Sequence, residues 1–74
     1  MNVAYYPNPV NNQLTVKAPM DGVLAIYNSA GKRVLGERFS HESNVDVSAL
    51  PNGLYLLSLE GSTGQFFTRI SVQH

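Results

Sequence analysis

The stretch Leu50-Pro51-Asn52-Gly53-Leu54-Tyr55-Leu56-Leu57-Ser58-Leu59 constrains the fold more than any other part of the chain. Pro51 presets φ for the first central position of a turn, and Asn52-Gly53 supplies residues that tolerate positive φ. The apolar run that follows, residues 53–59, has the length of a strand rather than of a helix. On a strand Tyr55, Leu57 and Leu59 face one way and Leu54, Leu56 and Ser58 the other. A strand that is apolar on one face and nearly so on the other belongs in the middle of a sheet.

The rest of the chain reads as more strands. Residues 3–6 are β-prone and stop at Pro7-Asn8-Pro9. Two prolines around one residue remove two ladder donors, so this segment is a bend and the first strand is an edge piece. Residues 13–17 alternate, with Leu14 and Val16 inward. Pro19-Met20-Asp21-Gly22 reads as a turn. Residues 23–27 follow as a strand with Leu24 and Ile26 inward, and Asn28-Ser29-Ala30-Gly31 as the next turn. Residues 32–39 read as a strand with Val34 inward and Gly36 weakening it at a bulge. His41 to Asn44 is a polar connection, and residues 45–47 are a short strand. Gly61-Ser62-Thr63-Gly64 is a hairpin loop. Residues 65–72 form the closing strand, with Phe66, Thr68, Ile70 and Val72 on one face and Phe67, Arg69, Ser71 and Gln73 on the other.

This pattern gives about seven short strands with frequent turn signals and no sustained helical periodicity. The expected fold is all-β, an immunoglobulin-like antiparallel β-sandwich. The expected core is Leu14, Val16, Leu24, Ile26, Val34, Val45, Val47, Leu50, Tyr55, Leu57, Leu59, Phe66, Ile70 and Val72. Tyr55, two residues past its turn, resembles the tyrosine corner of such sandwiches, which predicts a hydroxyl bonded to backbone near residues 47–50. Gly53 is expected to take positive φ.

At 74 residues the chain reads as a single small domain, 1–74, with little stability to spare. It has no cysteine, hence no disulfide and no thiolate chemistry. Five basic and five acidic residues are scattered along it, so no basic patch points to nucleic acid or to anionic lipid. No apolar run approaches the roughly 20 residues of a transmembrane segment. Residues 1–10, with Asn2 and two prolines, do not read as a secretory leader, so export would require a longer protein upstream.

Catalytic chemistry has little to work with. His41 lies in a polar loop and His74 ends the chain, and neither has zinc-ligand spacing to other donors. Ser40-His41-Glu42 contains the residue types of a triad, but sequence neighbours do not form its relay. The glycines precede no helix that would complete a phosphate loop. No metal, cofactor or catalytic residue is expected, and an enzyme is the weakest reading. Tyr5, Tyr6, Tyr27, Phe39 and Phe67 are candidates for a surface aromatic face, set against ordinary cross-strand packing.

Together the motifs resemble a known family. Tyr6-Pro7-Asn8-Pro9-Val10 followed by Leu14-Thr15-Val16 is similar to the opening of the type A C-terminal sorting domains of the type IX (Por) secretion system. Residues 26–34, Ile-Tyr-Asn-Ser-Ala-Gly-Lys-Arg-Val, resemble that family's second motif. Residues 46–55 resemble its third, and residues 66–72 its closing strand. The structural motif residues carried over are Pro7, Pro9, Gly31, Pro51, Gly53 and Tyr55. The resemblance implies a secretion signal at the C-terminus of a larger Bacteroidetes-type protein. It implies transit through the periplasm to the outer membrane, the cell surface or the medium. The implied partners are outer-membrane translocon proteins and a sortase-like peptidase that removes the domain and attaches the cargo to anionic lipopolysaccharide. The family commonly has lysine in the last strand where this chain has Arg69, which keeps the charge but not the geometry.

The recognition candidates are Phe67, Arg69, Ser71 and Gln73, displayed on a terminal strand whose far end no following loop locks. An exposed terminal strand also leaves pairing between copies open. The competing reading is an accessory immunoglobulin-like module that binds carbohydrate or protein, or spaces domains, in an extracellular protein.

Overall fold

A computed structural model describes residues 2–74 of the protein. Among them are five strands, β1 (Ala4–Tyr6), β2 (Gln13–Tyr27), β3 (Arg33–Asp46), β4 (Gly53–Gly61) and β5 (Gly64–Val72). All pairings between them are antiparallel and belong to one sheet. β2 is its spine. Its first half pairs with β1, its second half with β4, and β3 runs along its whole other side. β5 lies outside β4. The architecture is all-β, as the sequence predicts, but it is one curled sheet of five strands rather than a seven-strand immunoglobulin-like sandwich.

The two lost strands are the result of fusion. Residues 13–17 and 23–27 are halves of β2, and residues 33–39 and 45–46 are halves of β3. The expected turn at Pro19-Met20-Asp21-Gly22 is a bend inside β2. There Ala18, Pro19 and Met20 stand opposite the single residue His41, which has φ 62°. A proline is tolerated in a strand where such an irregularity releases its nitrogen from the ladder. Burial runs unbroken through the bend, on Leu14, Val16, Ala18, Met20, Leu24 and Ile26. The long β2–β3 hairpin thus curls, and its inner face encloses the core.

That core contains Leu14, Val16, Leu24, Ile26, Val45, Val47, Tyr55, Leu57, Leu59, Ile70 and Val72, all expected, with Leu50 and Phe66 packed against it half-buried. Each large aliphatic side chain contributes about 1.5–3 kcal/mol by leaving water. Val34 is a correction. It is the extra residue of a bulge, where Ile26 pairs with Leu35 and Tyr27 with Arg33, so it faces solvent and Leu35 turns inward. Gly36 sits in the regular ladder one residue beyond. Phe39 is a second correction. It is buried opposite Gly22, not part of a surface aromatic face.

The turn before β4 is built as its residues suggest. Tyr55 is buried and donates its hydroxyl hydrogen to the Pro51 carbonyl at 2.6 Å. This acceptor lies one residue past the span expected from residues 47–50. Gly53 has φ 157°, positive but far from the left-handed helical value. In the preceding connection the Asn28 side chain accepts from the N–H groups of Ala30 and Lys32, both at 3.0 Å, while Gly31 takes φ 82°. Gly61 and Gly64 pair across a two-residue hairpin turn, Ser62-Thr63.

Candidate recognition face

The four-strand part of the sheet, in the order β3–β2–β4–β5, turns one face to the core and the other to solvent. The ladder registers assign the outer residues to rows. One row is Arg38, Val23, Glu60 and Gln65. The next is Gly36, Ala25, Ser58 and Phe67, and the third is Arg33, Tyr27, Leu56 and Arg69. Leu54 and Ser71 follow.

Small residues occupy the middle of this face. Ala25 and Ser58 point outward yet are 5% and 2% exposed, because the larger neighbours rise around them. They floor a hollow of ≈ 400 Å³ lined by Val23, Tyr27, Arg33 and Glu60. A second hollow of ≈ 220 Å³ lies beside Arg69, between Leu54, Leu56 and Asn28. Phe67 (51% exposed), Leu54 (61%) and Val23 (47%) make the face apolar at several points. Arg33, Arg38 and Arg69 form no ion pair there. The pairs among the described residues are Lys17–Glu42 and His41–Asp21, and they lie elsewhere. The face thus combines a small-residue floor of Ala25 and Ser58, exposed apolar side chains, and three arginines alongside Glu60.

Three of the four recognition candidates share this side of β5. Phe67 stands beside Ser58, Arg69 beside Leu56, and Ser71, half-buried, beside Leu54. Gln73 lies just past the strand, with its side-chain amide 3.4 Å from the Ser71 hydroxyl. The aromatic residues do not gather into one face. Tyr5 is half-buried, with its hydroxyl 3.0 Å from that of Thr68 and its ring 6.1 Å from Phe66. Tyr6 lies on β1 under the Lys17 ammonium, 6.0 Å from the ring centroid.

The far end of the closing strand is not free, contrary to expectation. Val10 forms an isolated parallel bridge with Val72. Its N–H donates to the Ser71 carbonyl at 2.8 Å, and its carbonyl accepts from the Gln73 N–H at 2.9 Å. Two asparagine side chains take the remaining donors. Asn8 accepts from the Ser71 N–H and Asn52 from the His74 N–H, both at 3.0 Å. The His74 ring nitrogen Nε2 lies 2.7 Å from the Leu50 carbonyl. The bend 7–9, the turn 50–53 and residues 71–74 therefore form one clasp.

Sequence reasoning read Pro7-Asn8-Pro9 and Pro51-Asn52-Gly53 only as chain reversals and missed both asparagines as clasp residues. Prolines on either side leave Asn8 short of backbone donors. An amide side chain held there is the signal that was available.

A family model described as the secretion system C-terminal sorting domain matches residues 4–73. The chain belongs to this family, the C-terminal sorting domains of the type IX secretion system. Family members are secretion signals, non-catalytic in general, that engage the type IX system and direct export to the cell surface or beyond. None of the curated proteins matches the chain. No helix among the described residues is long and apolar enough to cross a membrane.

Proposed function

We propose that this domain carries a protein attached upstream of it through the periplasm to the outer-membrane translocon of the type IX system, which reads the outer side of β5. The family match over residues 4–73 supports the export role. Phe67, Arg69, Ser71 and Gln73 are the side chains read. Their support is geometric. Phe67, Arg69 and Ser71 lie on one face of a strand anchored along β4 and at its far end, and Gln73 follows just past it. After translocation a sortase-like peptidase removes the domain and attaches the cargo to anionic lipopolysaccharide.

The decisive experiment fuses residues 1–74 to a periplasmic reporter in a strain with a working type IX system. The reporter reaches the cell surface or the medium. A reporter that stays in the periplasm overturns the export reading. Within that assay, Arg69→Ala keeps its stability within about 0.5 kcal/mol, as surface changes usually do, yet lowers export, and Arg69→Lys restores most of it. Normal export of a folded Arg69→Ala variant removes Arg69 from the recognition site.

A further inference from the structure

The sheet has three free edges, and two of them are blunted. β1 is three residues long and ends at Pro7 and Pro9. β3 carries Arg33, Glu37, Arg38 and Glu42, the Val34 bulge, and His41 in a left-handed conformation. Short length, proline, charge and bulges are the devices that keep an edge from pairing with another chain. β5 has none of these except the one charge of Arg69. Its edge is open from Gly64 until the Asn8–Val10 segment covers Ser71 and Val72.

The clasp reveals which backbone groups face this edge. The Ser71 carbonyl and the Gln73 N–H both point away from β4, to Val10. Along a strand, alternate residues direct their N–H and C=O to the same side. Gln65, Phe67 and Arg69 therefore present theirs to the open edge, with no neighbouring strand to pair them.

We propose that this edge pairs with the same edge of a second copy of the chain, antiparallel across a two-fold axis at Phe67. The open window of Gln65, Phe67 and Arg69 is centred on Phe67. An antiparallel second copy then uses every outward backbone group and leaves none over. Phe67 of one copy lies beside Phe67 of the other, and each Arg69 stands opposite Gln65, so no like charges meet. The formal net charge of zero adds no repulsion between copies. The two four-strand faces join into one eight-strand face. The contact is small beside the roughly 1,200–2,000 Å² of stable complexes, so the dimer is weak and concentration-dependent. It occupies the backbone edge of β5, so self-association competes with any partner that would add a strand there.

Sedimentation of the isolated 74-residue chain from about 10 μM to about 1 mM, the range that brackets weak association, tests the pairing. The weight-average mass rises from 8.1 kDa towards twice that value. Phe67→Lys and Phe67→Pro abolish the rise. The Phe67 N–H faces the edge and not β4, so the proline costs no ladder bond, and a circular dichroism melt verifies the fold of each variant. Gln65→Glu places a carboxylate opposite each Arg69 and tightens association about two- to fivefold, the range of exposed ion pairs, while Gln65→Lys weakens it. A wild-type chain that stays monomeric at the top concentration overturns the proposal. So do folded Phe67 variants that associate normally, or a Gln65→Glu variant with unchanged association. The inference stands apart from the export reading, because sedimentation and reporter export can fail separately.

Discussion

The Tyr55 hydroxyl ties a core strand to the turn that precedes it, and its only visible task is that one bond to the Pro51 carbonyl. Tyr55→Phe keeps the ring in the core and deletes the bond. The expected loss is about 0.5–1.5 kcal/mol, the usual net value of one hydrogen bond, read as a lower denaturation midpoint with an unchanged slope. Asp46 acts on stability through pH. The Ser48 side chain beside it, and the Ser48 N–H that donates to it at 2.9 Å, hold its carboxyl below the ordinary aspartate value. A carboxylate lowered in the folded state binds its proton more readily when unfolded. Its contribution is complete above the unfolded pKa and is lost as pH falls through the folded value. Melting temperature therefore drops with acidification below about pH 4, and Asp46→Asn flattens that part of the curve.

At the scale of elements, the β2–β3 hairpin shows what the sequence makes legible and what it hides. Leu14, Val16, Leu24 and Ile26 announce the inward face by alternation, and Ala18 and Met20 continue the same even-numbered positions between them. Local turn chemistry at Pro19 and Asp21-Gly22 argued the other way and split the strand. Only the opposite strand, with one left-handed residue against three, makes the bend compatible with pairing. That is a tertiary fact. The Val34 bulge is likewise invisible from β3 alone, because a strand's register depends on its partner. β4 and β5 were legible because a strand-length apolar run, a turn before it and a glycine-bounded hairpin after it agree. The outer face of β5 was therefore readable, while the clasp, built from segments far apart in sequence, was not. The same pairing explains Gly22, which sits opposite Gly61 where β2 meets the end of β4. A Cβ on Gly22 would lie 2.0 Å from the Glu60 carbonyl oxygen and 2.6 Å from the Gly61 Cα. Both are backbone, so the strands must separate. Gly22→Ala is expected to cost about 1–3 kcal/mol, as overpacking does, measured by urea denaturation.

At the scale of the whole molecule, the clasp joins what the curled sheet leaves apart. β1 and β5 do not pair, and the segment after β1 reaches β5 only through Asn8 and Val10. Replacing Asn8 and Asn52 together by alanine removes two acceptors and leaves the core untouched. The expected cost is about 0.5–1.5 kcal/mol for each bond. Hydrogen exchange checks it residue by residue: the Ser71 and His74 amides lose protection while those of Leu24, Ile26 and Leu57 keep theirs. The order of assembly follows from the same feature. The β2–β3 and β4–β5 hairpins need only neighbouring sequence, whereas the Asn8–Ser71 bond spans 63 positions. Contacts of such separation form after local ones, since loop closure must precede any gain from them. A polypeptide halted before residue 71 can build both hairpins and most of the core, yet it leaves Val10 and both asparagines without their partners. Closure of the seam thus reports that the last-made strand has met the first-made bend, and amide exchange at Ser71 reads that event directly.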